Sequence, residues 1–242
     1  MAEFLSTSST GIAYSFRRST RARHLRVQIN PDGSVAVVAP ASASFHLVDR
    51  FVAHHLVWIK KHVAKAQKKH DAAPRHDYRT GDSFLFLGER HDLTVLEADR
   101  KKPKVEWNDA ALVVSIPAEL APVEKAALVQ EALTRFFKKK AGEVIHDRLS
   151  HFNDFYHFEY RRVTLRDQKT RWGSCSRDGN LNFNWRLILA PIEVIDYVVV
   201  HELCHLREMN HSTRFWALVV QTLPDYKQWR KWIRDHHAWL KA

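Results

Sequence analysis

The sequence lacks the features that mark secreted, disulfide-rich and membrane-spanning proteins. It has two cysteines in 242 residues, too few for a disulfide framework. Its longest apolar stretch, RLILAPIEVIDYVVV, is interrupted by Pro191, Glu193 and Asp196 and falls short of the ~20 residues that a membrane helix needs. The start, MAEFLSTSSTG, has neither the basic nor the apolar region of a secretory signal. These absences predict a protein of the reducing cytoplasm that makes no contact with a membrane.

Acidic residues are also comparatively scarce, and the formal net charge is +11. The excess is spread along the chain, with +5 in residues 1–119 and +6 in residues 120–242. Such a diffuse positive field favours an anionic partner, such as DNA or a phosphorylated substrate. A role in solubility alone explains the charge equally well.

The first half of the chain reads as strands around one long helix. Residues 11–39 alternate between apolar and polar side chains, with a turn signal at 30–33, which predicts a hairpin or meander. An amphipathic pattern predicts a helix over 45–69. Further strands are predicted over 83–87, 92–96, 104–107 and 112–116. A boundary between Pro117 and Pro122 would divide the chain into a β-rich N-terminal part (1–120) and a second domain (121–242).

The second half is predicted to be mostly helical. Helices are expected over 123–155, from Pro191 to about Met209, over 212–223 and over 226–240. Strands at 160–166 and 181–185 flank the polar loop DQKTRWGSCSRDG. The last helix carries an apolar and aromatic stripe between basic residues, which predicts docking against the core; stacking on single-stranded nucleic acid is the alternative. The whole pattern predicts an α+β fold.

The helix after Pro191 contains the segment His201-Glu202-Leu203-Cys204-His205. Histidines four residues apart lie on one face of a helix, where their imidazoles can bind the same Zn²⁺ ion. Glu202, beside the first histidine, can reach a water on such an ion without binding the ion itself, so it is the candidate general base. The alternative is a helix with surface histidines in a chain that has 16 of them.

A third histidine, His211, supplies the remaining ligand expected for this pattern. Asn210 precedes it, and asparagine tolerates the left-handed conformation that ends helices. A turn there would bring His211 back to the other two imidazoles. Three protein nitrogens would leave one open position on Zn²⁺ or another divalent transition metal, which is typical of a catalytic site.

The segment from Thr170 to Val219 resembles the signature region of the YgjP-like metal-dependent hydrolases, relatives of the SprT-like and WLM zincin metallopeptidases. The arginine-rich strand, the NPDG turn, the long helix and the WGSC loop follow one another in the family's order. The resemblance implies a zincin-like core, in which a helix carrying HExxH and a helix carrying the third histidine lie beside a small sheet. It leaves the substrate open.

Three further residues are candidates for binding substrate. Arg171, in the loop before Trp172, could hold a carboxylate or a phosphate. Asn184 lies on the strand 181–185, whose edge could pair with an extended peptide. Tyr197, one helical turn before His201, could stabilise an oxyanion, although packing alone also explains it. Glu208 shares the histidine face of the helix and could support a ligand from outside.

The sequence therefore predicts a zinc-dependent hydrolase, with peptide-bond hydrolysis as the favoured reaction. The first alternative is a metal-dependent phosphohydrolase that cleaves nucleoside triphosphates, since the same activated water and nearby arginines would serve it. The second is a DNA-associated protein with a structural zinc. A structural site is normally closed by four protein ligands, which argues against that reading.

Overall fold

The computed structural model describes residues 4–9, 11–30, 32–71, 76–108, 111–168 and 170–240. Over those residues it is a mixed α+β protein with three small sheets, in agreement with the predicted class. The strands are β1 (Phe4–Thr7), β2 (Ala13–Ser19), β3 (Arg26–Ile29), β4 (Val35–Pro40), β5 (Ser83–Phe86), β6 (Glu89–Ala98), β7 (Lys104–Asn108), β8 (Ala111–Pro117), β9 (Arg162–Arg166), β10 (Gly173–Cys175) and β11 (Asn180–Asn184). The helices are α1 (Phe45–His54), α2 (Leu56–Asp71), α3 (Pro122–Tyr156), α4 (Ile192–His205), α5 (Thr213–Thr222), α6 (Tyr226–Asp235) and α7 (His237–Leu240), with a short 3₁₀ helix at Trp185–Leu189.

These elements form two compact units. The first contains β1–β4, α1 and α2, together with α7 from the end of the chain. The second contains the elements from β5 to α6. None of the helices in the described ranges is both long and apolar enough to cross a membrane.

The first unit is a four-stranded sheet, in the order β1-β2-β4-β3, with a core on one face. That core is built from alternate strand residues and from the apolar sides of α1 and α2, and includes Tyr14, Phe16, Val35, Val37, Val48, Val52 and Ile59. The predicted turn at 30–33 is present, since the Gly33 amide donates to the Asn30 carbonyl at 2.9 Å; Pro31 lies outside the described residues. β3 and β4 form the antiparallel hairpin, but β2 pairs with β4 in parallel, so the three strands are not a simple meander.

The helix predicted over 45–69 is divided at His55. The backbone amide of His55 donates to the carbonyls of Phe51 and Val52, each at 3.2 Å, and the His55 ring nitrogen Nδ1 contacts the Phe51 carbonyl at 2.9 Å. These bonds close α1, and α2 then continues with Ile59 and Val63 against the core. Side-chain periodicity alone does not reveal such a break, because the apolar stripe continues across it.

The second unit is built around α3, which confirms the helix predicted over 123–155. Its 35 residues carry one buried stripe, formed by Val129, Ala132, Leu133, Phe137, Ala141, Ile145, Leu149, Phe152 and Tyr156. This helix packs against β8 and β7 of the sheet β5-β6-β8-β7, against the 3₁₀ helix and against α4.

The division between the units falls elsewhere than the predicted one between residues 120 and 121. The strands β5–β8 belong with α3 and α4, because the tight turn after β5 packs under the start of α4. The Leu87 amide donates to the Ile188 carbonyl at 2.8 Å, and a Cβ on Gly88 would lie only 2.9 Å from Pro191 Cα. This close approach is made by residues about 100 positions apart, which composition along the chain does not show.

The third sheet lies beside α4 and has the order β10-β11-β9. β11 is its central strand, antiparallel to β10 and parallel to β9. The strand predicted over 181–185 therefore offers no free edge to a peptide, and the edge strand next to α4 is β10. β10 was expected to be loop, because its three residues, Gly-Ser-Cys, carry no apolar alternation.

Candidate active site

The candidate site is centred on α4, which is buried on nearly all sides. Every residue from Val194 to Val200 is buried, and so are Glu202 and His205. The helix begins directly after Pro191 and ends at His205, four residues earlier than predicted. The chain then turns through residues 206–212, and Ser212 starts α5 by accepting a hydrogen bond from the Phe215 amide at 3.3 Å.

This turn brings the three predicted histidines together. The Nε2 atom of His201 lies 3.2 Å from Nε2 of His205 and 3.0 Å from Nε2 of His211. A zinc ion bound to imidazole nitrogens at ~2.1 Å in tetrahedral geometry requires ligand atoms roughly 3.4 Å apart. The spacing of the nitrogens therefore fits a small tetrahedral metal ion.

The protonation of the histidines fits a metal as well. Burial and the two neighbouring imidazoles lower the pKa of His201 to about 3, and burial lowers the pKa of His205 and of His211. Neutral imidazoles are the form that binds metals. His205 Nδ1 lies 3.0 Å from the backbone carbonyl of Glu208, which fixes Nδ1 as the donor and leaves Nε2 free to bind an ion. The predicted support from Glu208 thus comes through its main chain.

Glu202 lies in a confined space beside Gly173 of β10. Its side chain is 4% exposed, and its Oε2 atom has no hydrogen-bond partner among the described residues. Burial raises the pKa of this carboxyl to about 8, and the charge of Arg171 opposes that rise. A buried carboxyl oxygen without a described partner is unfavourable for stability, which makes Glu202 a candidate for a functional residue.

Gly173 on β10 makes the room that Glu202 occupies. A Cβ atom at this position would lie 2.7 Å from Cγ of Glu202, closer than real Cβ contacts allow. Because glycine has no side chain, the main chain of β10 can lie this close to Glu202.

The three other predicted residues lie in different surroundings. Arg171 is exposed and close enough to Glu202 to affect its pKa. Tyr197 is buried, with its ring centroid 5.7 Å from that of His201, and burial raises its pKa to about 12. Asn184 is fully buried. Its amide group donates to the carbonyls of Gln168 and Arg171, so it holds the Arg171 loop in place.

Comparison with known proteins identifies the family. The family model for the YgjP-like metallopeptidase domain matches residues 23–236. The chain belongs to the YgjP-like metallopeptidase family. No curated protein matches the chain. Among solved structures, a crystal structure of the metallopeptidase zymogen of Pyrococcus abyssi abylysin is 25% identical, covers 37% of this chain and 90% of that chain, and has a TM-score of 0.35.

Aromatic residues support the histidines of this YgjP-like site, and the sequence analysis did not find them. The Phe215 ring centroid lies 4.6–4.9 Å from the centroids of all three imidazoles. Trp216 stacks on His211 at 5.7 Å and on Tyr226 at 4.8 Å. The apolar pattern of 212–223 predicted a helix, but it could not show which of its residues face the site.

Arg230 is a second charged group at the YgjP-like site, and its sequence position gave no indication of a role there. Its guanidinium carbon lies 4.8 Å above the Trp216 ring. Its positive charge lowers the pKa of Tyr197, His201 and His211, although burial is the larger influence on each. In the sequence it is one of several basic residues of the last helix, and nothing there connects this helix with α4.

A cleft of about 450 Å³ borders His205 on the side of β9 and the β10–β11 turn. Its walls carry charges of both signs, and its lining consists of Glu159, Tyr160, Arg161, Ser176, Arg177, Asp178, Gly179, His205, Leu206 and Met209. Of the three histidines, His205 is the one that lines this cleft.

Proposed function

We propose that this chain is a zinc-dependent peptidase with a zincin-like core, in which His201, His205 and His211 bind the ion and Glu202 is the general base. One observation carries the proposal. The Nε2 atoms of three histidines lie close together, and Glu202, whose Oε2 atom has no described partner, is buried on α4 beside two of them.

The chemistry follows from the properties of these groups. When bound, zinc at such a centre lowers the pKa of a coordinated water toward ~7 and polarises the carbonyl under attack. Glu202 would take the proton of the attacking water and pass it to the leaving amine. Burial raises the pKa of Glu202, which suits a group that must hold the proton between the two steps. The positive charge of a bound ion would lower that pKa and favour the carboxylate that accepts the proton.

Binding of the substrate is proposed to use groups around Glu202. β10 is an edge strand near α4, and the edge that it does not share with β11 could align a peptide by main-chain hydrogen bonds. Arg230 and Tyr197, which lie near His201, would stabilise the negative charge that develops on the carbonyl oxygen. Arg171, which is close enough to Glu202 to influence its pKa, would bind an acidic group of the substrate.

Hydrolysis of a phosphoanhydride remains the second candidate because two arginines, Arg171 and Arg230, influence the site from different elements. Guanidinium groups bind phosphate as readily as carboxylate.

The proposal is tested with purified protein loaded with zinc. We expect about one metal ion per chain by elemental analysis, and loss of the ion in His201→Ala and in His205→Ala. The loaded protein should cleave peptides in a denatured protein mixture, detected as new termini by mass spectrometry, and both alanine variants should be inactive. Release of phosphate or pyrophosphate from nucleoside triphosphates, without peptide cleavage, would support the second candidate instead. Full metal retention in both variants would contradict the ligand assignment.

A further inference from the structure

The positive charge of the protein is concentrated in its first compact unit. Residues 1–74 contain 11 lysines and arginines and 4 acidic residues, a net charge of +7 out of the total of +11. The division at residue 119 concealed this, because residues 75–119 are slightly acidic and offset the first unit.

The two units also differ in how their charges are paired. Among the described residues, the ion pairs all lie in the second unit, as in Arg135–Glu131, Lys104–Glu106 and Arg148–Asp196. Arg18 lies on the opposite face of β2 from Arg17, with its guanidinium carbon 5.7 Å from the Phe16 ring centroid. The four other arginines of the segment 17–26 are exposed, and none forms an ion pair with a described residue: Arg17, Arg21, Arg23 and Arg26. We call this group the arginine cluster.

The sheet topology gathers the arginine cluster at one end. Arg17 on β2 and Arg26 on β3 are both register partners of Val38 on the strand between them, so they lie in one row, about 10 Å apart. The segment 20–25, which carries Arg21 and Arg23, connects these two strands past the end of β4. Like charges brought together in this way repel one another, and an anionic partner would relieve the repulsion.

The surroundings of the arginine cluster indicate the kind of anion. On the same face of the sheet, the adjacent row across β2, β4 and β3 consists of Ser15, Ala36 and Gln28, and none of them is aromatic. Single-stranded nucleic acids are bound mainly by stacking bases on aromatic rings, so this face suits them poorly. The large exposed apolar side chains of the described residues all lie outside 11–40, so the face also lacks groups to enter a lipid layer.

We propose that the arginine cluster binds the phosphate backbone of double-stranded nucleic acid without reading its bases. Guanidinium groups bind phosphates in a bidentate manner, and duplexes expose their phosphates along both strands. This binding is separate from hydrolysis at α4, so it can be tested whether or not the chain proves to be a peptidase.

The experiment measures fluorescence anisotropy of a labelled duplex of about 20 base pairs with the full, zinc-loaded chain, between about 50 and 200 mM salt. If all four arginines contact phosphates, the logarithm of the affinity should fall against the logarithm of the salt concentration with a slope of about −4. The variant Arg17→Gln/Arg21→Gln/Arg23→Gln/Arg26→Gln should bind at least about tenfold more weakly, with a slope near zero.

A matched control removes the same number of charges from the second unit. Arg79, Lys104, Arg135 and Lys139 are exposed and paired with acidic residues, and their replacement by glutamine should leave both affinity and slope nearly unchanged. The single replacements Arg21→Gln and Arg23→Gln, both in the connecting segment, should each make the slope less steep by about one. They keep the test decisive if the fourfold variant does not fold.

Three results would overturn the proposal. Equal weakening in the fourfold variant and its control would show that net charge alone drives binding. Tighter binding to a single strand of the same sequence, or to anionic lipid vesicles, would assign the cluster to another partner. Absence of duplex binding at the lowest salt concentration would indicate that the positive charge serves solubility instead.

Discussion

At the scale of single residues, the site combines groups that each depend on a neighbour. His205 is oriented by the Glu208 carbonyl, and Phe215 contacts all three imidazole rings. Glu202, in contrast, has an oxygen that no described residue satisfies. The proposed mechanism requires both features, because the histidines must hold the ion in place and Glu202 must be free to accept a proton.

Replacing Glu202 by Gln should separate the base from the ligands. The amide has nearly the same volume as the carboxyl but cannot accept the proton of the attacking water. We expect zinc to remain bound while turnover falls by at least ~10²–10⁴-fold, the contribution of general acid–base catalysis. Elemental analysis and peptide-cleavage rates measure the two effects. Full turnover with zinc still bound would show that Glu202 is not the general base, and Glu208 would then be the next residue to test.

Replacing Arg230 by Gln should lower kcat and leave the metal content unchanged. In the proposed mechanism its guanidinium stabilises charge that develops during the reaction, and the loss of one such group in other enzymes costs about 10²–10³-fold in rate. Arg230→Lys should restore part of the rate, because it keeps the charge. Arg234→Gln on the same helix is the control, since that side chain is 70% exposed and lies beside Asp235. If Arg230→Gln raised KM alone, the residue would bind the substrate without a role in the transition state.

At the scale of elements, the contact between α4 and β10 sets the position of the base. β10 is only three residues long, yet it lies against the helix where Gly173 meets Glu202. The β5–β6 turn supports the other end of α4 through Gly88 and Pro191. Both contacts are close approaches of main chain, which glycine permits because it has no side chain.

Replacing Gly173 by Ala should therefore impair catalysis without removing the metal. The new methyl group would need the space of Glu202 Cγ, so the carboxylate should move while the three histidines stay in place. We expect at least about tenfold slower turnover, because catalytic groups lose efficiency steeply with displacement. Gly142→Ala in α3 is the control, because its Cβ would meet only Leu165 Cδ1, at an ordinary 3.5 Å. Unchanged turnover in Gly173→Ala would show that the Glu202 side chain can move without any loss of catalytic rate.

At the scale of the whole molecule, the chain forms two compact units, and its last helix belongs to the first of them. α7 packs against α2, and Leu240 is fully buried. The proposed metal ligands and the proposed base all lie in the second unit, whereas the arginine cluster lies in the first. The two proposed activities can thus be altered one at a time.

Replacing Leu240 by Ala should destabilise the first unit by about 2–5 kcal/mol, the usual range for such a cavity. Hydrogen exchange followed by mass spectrometry should then show faster exchange in β2, β4 and α2 and unchanged protection in α4. Zinc content should not change. Val123→Ala is the control, because that side chain is 81% exposed. Faster exchange in α4 as well would mean that the two units unfold together.

Local sequence determined what depends on neighbours along the chain. The 3.6-residue period set α3, and the i, i+4 spacing put His201 and His205 on one face of α4, with His211 one turn of chain away. The signature residues around the WGSC loop sufficed to identify the family. Glu202 was selected as the base on the same local grounds, and that role remains a prediction.

The tertiary structure decided what depends on residues far apart in the chain. It showed that Gly173 makes room for Glu202, that Asn184 is buried, and that Arg230 reaches the site from α6. It also placed β5–β8 with α3 and α4 and thereby revealed how unevenly the charge is distributed. A periodic pattern specifies which side of an element is buried, but not which element covers it, because contacts between distant segments are fixed only when the chain packs.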